Sequence, residues 1–294
     1  LTQLFEERHI PYVIAMNKAD LITVPENIPE NMIFVSAREN GNIHALKEKI
    51  AALVHSVPPA RELIADLVSP GDAVVLVTPI DSAAPKGRLI LPQQQTIRSL
   101  LDAGCIPVVT RETELARTLS RLREPPALVV TDSQAFGMVS RIVPDSVRLT
   151  SFSILFARYK GDLRTAVLGA AALRRLKDGD TVLISEGCTH HRQCGDIGTE
   201  KLPRWVRQYT GRDIRFVFTS GGEFPENLSP YALIIHCGAC MLGEREMQSR
   251  LRRAAEQCIP VTNYGIAIAQ IHGILDRALR PFSALHAEWE KQQQ

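Results

Sequence analysis

No apolar stretch in this 294-residue sequence is long enough to cross a bilayer; runs such as 73–77 and 232–235 fall far short of the ~20 residues such a helix needs. No basic segment leads into an apolar one at the start, so no leader is read there and a cytoplasmic location without membrane contact is expected. Charge of neither sign is in excess. With 34 Lys and Arg against 32 Asp and Glu the formal net charge is +2, which gives no reason to expect nucleic acid as a partner. Cysteine is scarce: the six thiols (Cys105, Cys188, Cys194, Cys237, Cys240, Cys258) are too few for a disulfide framework at this length. Four of them lie near histidines, and in a reducing compartment that grouping favours metal over disulfide. No fixed-period repeat occurs, and no low-complexity segment beyond the polar stretch 288–294. A GxxxxGK[ST] phosphate loop is also missing, as is a DxxG after a suitable early strand, so nucleotide hydrolysis is not expected of this chain.

What is present is an ordinary globular composition, 45% apolar and 22% charged, long enough for two or three cores. Apolar β-branched runs alternate with amphipathic stretches of helical period from end to end, the signature of an α/β chain with mainly parallel sheets. Strands are expected over 12–16, 33–36, 73–78, 106–109, 127–131, 181–185, 215–219, 233–236 and 260–263. Helices such as 43–54, 112–122, 163–176 and 244–257 are expected between them. Two breaks read as linkers, Val57-Pro58-Pro59 and an irregular approach over 144–160. Three units follow: 1–57, 58–150 and 151–294. The chain reaches its first strand almost at once, so 1–57 is expected to be the tail of an α/β domain whose beginning is missing.

Asn17-Lys18-Ala19-Asp20 directly follows an apolar strand, where a guanine-reading NKxD turn belongs. The Asp20 carboxylate can accept from the guanine N1 and exocyclic amine, while the Asn17 amide and Lys18 stem organise the turn and cover the ring. The next strand ends in Ser36-Ala37, matching the SA element whose backbone N–H meets the guanine carbonyl. Two such elements in register outweigh a chance turn, although without a phosphate loop the set is incomplete.

In the third unit Cys188-Thr189-His190-His191 and His236-Cys237-Gly238-Ala239-Cys240 each follow a strand, at the sheet edge where open α/β folds bind ligands. A CxxC turn lets two thiolates face one metal centre, and Cys188 can supply a third. Three thiolates leave one iron of a 4Fe-4S cube without a cysteine, and His190, His236 or an exogenous ligand could hold it. Cys3His is also a legitimate zinc set, so spacing alone leaves iron–sulfur and zinc open. His191 reads as a polar neighbour, Cys194 as a spare thiol, and Cys105 and Cys258, each before Ile-Pro, as core residues.

These residues resemble the FeFe-hydrogenase maturation GTPase family HydF, whose cluster motif is CxH followed, after a long spacer, by HCxxC. Cys188, His190, His236, Cys237 and Cys240 match it position by position. The phrases 81–88 (DSAAPKGR), 150–153 (TSFS) and 201–205 (KLPRW) are similar to the family as well. The resemblance implies a Ras-like GTPase domain, a dimerisation domain and a domain carrying a 4Fe-4S cluster. It also implies a homodimer or higher homo-oligomer acting as a scaffold, which receives a diiron precursor from radical-SAM maturases and passes it to apo FeFe-hydrogenase. Relative to the family most of the GTPase domain is absent here, so GTP is expected only of a longer parent and no catalytic residue is assigned. The middle unit shows no catalytic cluster; Asp81, Lys86 and Arg88 read as a surface or interface loop. Two rivals use the same Cys/His set: a zinc-dependent enzyme, and a nucleotide-regulated binding module whose cysteines are incidental.

Overall fold

Among the described residues every pairing between named strands is parallel. The computed structural model describes residues 2–7, 10–55, 62–79, 89–187, 196–239 and 241–293. They fall into two units, 1–60 and 61–294. The expected α/β class with mainly parallel sheets is the observed one.

In the smaller unit β1 (Ile14–Met16) and β2 (Met32–Phe34) pair with Ile14 opposite Met32, and the helix Ile43–His55 follows. The linker at Val57-Pro58-Pro59 lies outside the described residues, as does the loop 81–88.

The larger unit holds two four-stranded sheets. The first is built from β3 (Ala73–Val77), β4 (Ile106–Thr110), β5 (Leu128–Thr131) and β6 (Leu149–Ser151), in the spatial order β4-β3-β5-β6. The second uses β7 (Thr181–Ser185), β8 (Arg215–Thr219), β9 (Leu233–His236) and β10 (Val261–Asn263), in the order β8-β7-β9-β10. Both sheets therefore run second-first-third-fourth. The chain winds one way from the first strand to the second and the other way from the first to the third, which places a topological switch point between β3 and β5 and another between β7 and β9. Central strands of such sheets are covered on both faces and read as unbroken apolar runs. Val74–Val77 and Val182–Ile184 are accordingly inaccessible to solvent.

Short polar caps start the helices, two of them directly at strand ends. Ser151 accepts from the Ile154 N–H at the start of the helix Phe152–Lys160, Asp162 from Thr165 at the start of Leu163–Ala170, and Asn263 from Ile266 at the start of Tyr264–Ile271. Helix Leu163–Ala170 lies so close to β10 that a Cβ on Gly169 would fall 1.9 Å from the Val261 carbonyl oxygen, so only glycine fits there. Ile266 and Ala269 share one buried cluster with Val75, Val129 and Phe136, which joins the helices around the second sheet to the core of the first.

Two sequence expectations are corrected. The stretch 144–160 is not an irregular linker: β6 pairs with β5 (Ser151 opposite Thr131), and a nine-residue helix follows directly. A three-residue strand is too short to show an alternating pattern, and the helix, with Phe152, Ile154, Leu155 and Phe156 all buried, has too broad an apolar face to look amphipathic. Cys105 is buried as expected, but Cys258 is exposed. It sits at φ 57° in the left-handed turn that follows the helix Glu244–Glu256, on the surface rather than in the strand that comes after.

Candidate metal centre

The expected ligand segments leave the C-terminal ends of β7 and β9, the two strands that flank the switch point of the second sheet. Their ends are in register, Ser185 opposite His236, and the Cys237 N–H extends the ladder to the Ser185 carbonyl at 2.9 Å. The Gly187 N–H donates to Cys237 Sγ at 3.0 Å, and the Ala239 N–H donates to the same sulfur at 3.4 Å. Ala239 is in the left-handed region at φ 53°, at the turn after Cys237. Two amide dipoles on one sulfur favour the thiolate, the form that binds metal. Gly187 is the residue before Cys188, so the first ligand segment meets the second at Cys237. Cys188, His190 and Cys240 themselves lie outside the described residues, as do His191 and Cys194.

His236 is turned away from this sulfur nest. Along β9, Leu233 and Ile235 pack into one cluster and Ile234 into another with Met247, Leu251 and Ala254 of the helix Glu244–Glu256. Strand alternation puts His236 on the side of Ile234, facing that helix. The ring is 1% exposed. Its Nδ1 lies 3.0 Å from the Cys237 carbonyl, and its Nε2 lies 3.1 Å from Nη1 of Arg250. A guanidinium has donors only, so Nε2 must be the acceptor and Nδ1 the protonated nitrogen that donates to the carbonyl. Burial, with the adjacent Arg250 charge adding to it against the carbonyl bond, holds the imidazole pKa down to about 4, and the ring is neutral at pH 7.

Sequence reasoning missed several groups beside the nest. Glu186, directly after β7, is buried and accepts from the Tyr264 hydroxyl at 3.1 Å. Burial, with the nearby Glu186 carboxylate, drives the Tyr264 pKa far upward, so it stays a phenol and a donor. Gly198 closes over this pair: a Cβ there would meet the Tyr264 hydroxyl at 2.3 Å and Glu186 Oε1 at 2.5 Å. It belongs to a π-helical turn, Ile197–Lys201, capped by Asp196 through the Thr199 N–H and hydroxyl. The signal for Glu186 was its place, an acid at a parallel strand end one residue before Gly187-Cys188. Arg250 stands on the face of Met247, Leu251 and Ala254, but among Arg245, Arg252 and Arg253 it passes for surface charge.

In the smaller unit the five guanine-turn residues do come together. Asn17 Oδ1 accepts from the Lys18 N–H at 2.8 Å and from the Ala37 N–H at 3.1 Å, tying the NKxD turn to the SA element twenty positions on. The Ser36 hydroxyl donates to Asp20 Oδ1 at 2.6 Å, and Lys18 holds φ 65° at the bend.

No curated protein matches the chain. A model of the hydrogen maturase F dimerization domain matches residues 63–161, the region of the first sheet, and a model of the hydrogen maturase F tetramerization domain matches residues 164–281, the region of the second. The two regions thus give the chain a homo-oligomeric character and a role in hydrogenase maturation. Among the described residues no helix is long and apolar enough to cross a membrane. Two adjoining matches that together take in most of the sequence leave one assignment: the chain belongs to the hydrogen maturase F (HydF) family.

Proposed function

We propose that the chain is a scaffold in FeFe-hydrogenase maturation that holds a 4Fe-4S cluster on Cys188, Cys237 and Cys240 and carries a diiron precursor to apo-hydrogenase. The observation that supports it most is the Cys237 sulfur, held by the Gly187 and Ala239 N–H groups at the switch-point crevice. That environment suits a cluster thiolate, since hydrogen bonds to ligand sulfurs stabilise their negative charge and tune the centre. Cys188, Cys237 and Cys240 would leave one iron of such a cube without a thiolate, where an exchangeable ligand would allow a second metal fragment to attach and leave.

The chain's own residues bind and orient. Cys237 enters the site on a loop locked to β7 through the Ser185 carbonyl, and Glu186, the residue directly after β7, is held by the Tyr264 hydroxyl. Radical-SAM maturases supply the diiron cargo and apo-hydrogenase receives it under this proposal. The Asn17–Asp20 turn is organised for guanine, but the sequence offers no phosphate loop, so the 294-residue chain does not bind GTP. Saturable GTP binding at micromolar concentration would contradict that.

Anaerobic reconstitution with iron and sulfide tests the proposal. The expected protein is brown, with about four irons and four sulfides per chain and an EPR signal on reduction, and C237A loses the intact cluster. A colourless protein holding one zinc per chain would support a zinc enzyme instead. Unchanged metal content in C237A would support a binding module with incidental thiols.

A further inference from the structure

Helix Glu244–Glu256 carries an arginine into the interior beneath the ligand loop. Arg250 is 2% exposed, and its guanidinium meets four acceptors: Glu246 Oε1 from Nε at 2.9 Å, the Gly221 carbonyl from Nη2 at 2.8 Å, and His236 Nε2 and Ser185 Oγ from Nη1 at 3.1 and 3.4 Å. The Phe224 ring covers it at 5.0 Å. A buried guanidinium with its donors so committed holds one orientation, because breaking any bond strands a charged donor away from water.

The acceptors are the informative part. Ser185 ends β7 and His236 ends β9, so one side chain clamps the tips of both strands from which the ligand segments leave. The same bond commits the imidazole. Its Nε2 lone pair goes to Arg250 and its Nδ1 proton to the Cys237 carbonyl, which leaves neither nitrogen with a lone pair for a metal. The proton on Nδ1 in turn fixes the peptide of Cys237, whose sulfur sits in the nest. A chain of contacts therefore runs from Arg250 through His236 to the backbone of a ligand cysteine.

We propose that Arg250 is a positioning residue of the cluster site, acting through His236, and that His236 orients the Cys237 loop without ligating iron. This rests on the cluster reading above. It leaves the position without a cysteine to another group and gives the histidine of the HCxxC segment an orienting role within the protein.

The experiment is pulsed EPR on the reduced, anaerobically reconstituted full chain, with and without 15N-histidine, together with iron and sulfide counts and a redox titration. Wild type, H236A, R250A and R250K are compared. Any strong histidine-nitrogen coupling present in wild type survives in H236A, while the midpoint potential and g-values shift in both H236A and R250A, and R250K returns part of the shift. A strong coupling in wild type that vanishes in H236A would overturn the proposal, because it would make His236 a ligand. Potential and g-values unchanged in a folded, cluster-bearing H236A would overturn it as well. If R250A does not fold, H236A and R250K still decide the matter. Wild type that binds no iron and sulfide would instead sink the cluster reading itself, a different result from either of these.

Discussion

Cys237 has a sulfur that accepts two backbone N–H bonds, from Gly187 and Ala239, so main-chain groups rather than side chains surround it on that side. Replacing it with Ser keeps the size but not the soft thiolate, so C237S should lose the intact cluster, as iron and sulfide counts would show. Gly198 is a second residue whose identity is fixed by its neighbours. G198A pushes a methyl into the Tyr264 hydroxyl and the Glu186 carboxylate, and should lower stability by about 1–3 kcal/mol, read from the urea midpoint. A G198A protein as stable as the parent would mean that this pair can move apart. At this scale the sequence revealed the chemistry-bearing side chains and little of what surrounds them. Cys237 and His236 stand out as a motif. Arg250 does not, because Glu246 and Arg250 at i, i+4 look like a surface pair, and only the position on the Met247–Ala254 face hints at burial.

Elements were legible where a strand is central and covered on both sides. β7 and β9 keep their expected bounds, Thr181–Ser185 and Leu233–His236, since a run of Val, Leu and Ile ending in a polar residue has one physical reading in a parallel sheet. The edge strand β8 was equally clear from its aromatic and β-branched residues. β6 and the helix after it were not, because β6 derives its strand geometry from its partner β5 rather than from its own pattern. Ser151 is the hinge between the two, its hydroxyl accepting from the Ile154 N–H at 3.3 Å. S151A should cost about 1 kcal/mol, measured by chemical denaturation. A change much smaller than this would indicate that packing alone starts the helix. The site itself depends on strand order, which spacing does not encode. That β7 lies between β8 and β9, and so opens a crevice beside β9, emerges only from the folded sheet.

Across the whole molecule, two parallel sheets of the same strand order serve two roles, and the family matches divide between them: self-association through the dimerization domain with the first sheet and the tetramerization domain with the second. Among the described residues strand β4 is an edge of the first sheet, with Ile106 and Val109 exposed, and open edges with apolar side chains favour pairing with another chain. Light scattering should give a mass that is a multiple of 32.6 kDa, and V109K should shift it toward the single chain. An unchanged mass would move the contact elsewhere. Cluster binding is the central claim, and it is tested most directly by counting iron and acid-labile sulfide on the anaerobically reconstituted wild-type chain beside its C237A variant. About four of each per wild-type chain, with loss of the intact cube in C237A, is the predicted result. One zinc and no sulfide in the wild type, or equal counts in both proteins, would contradict it.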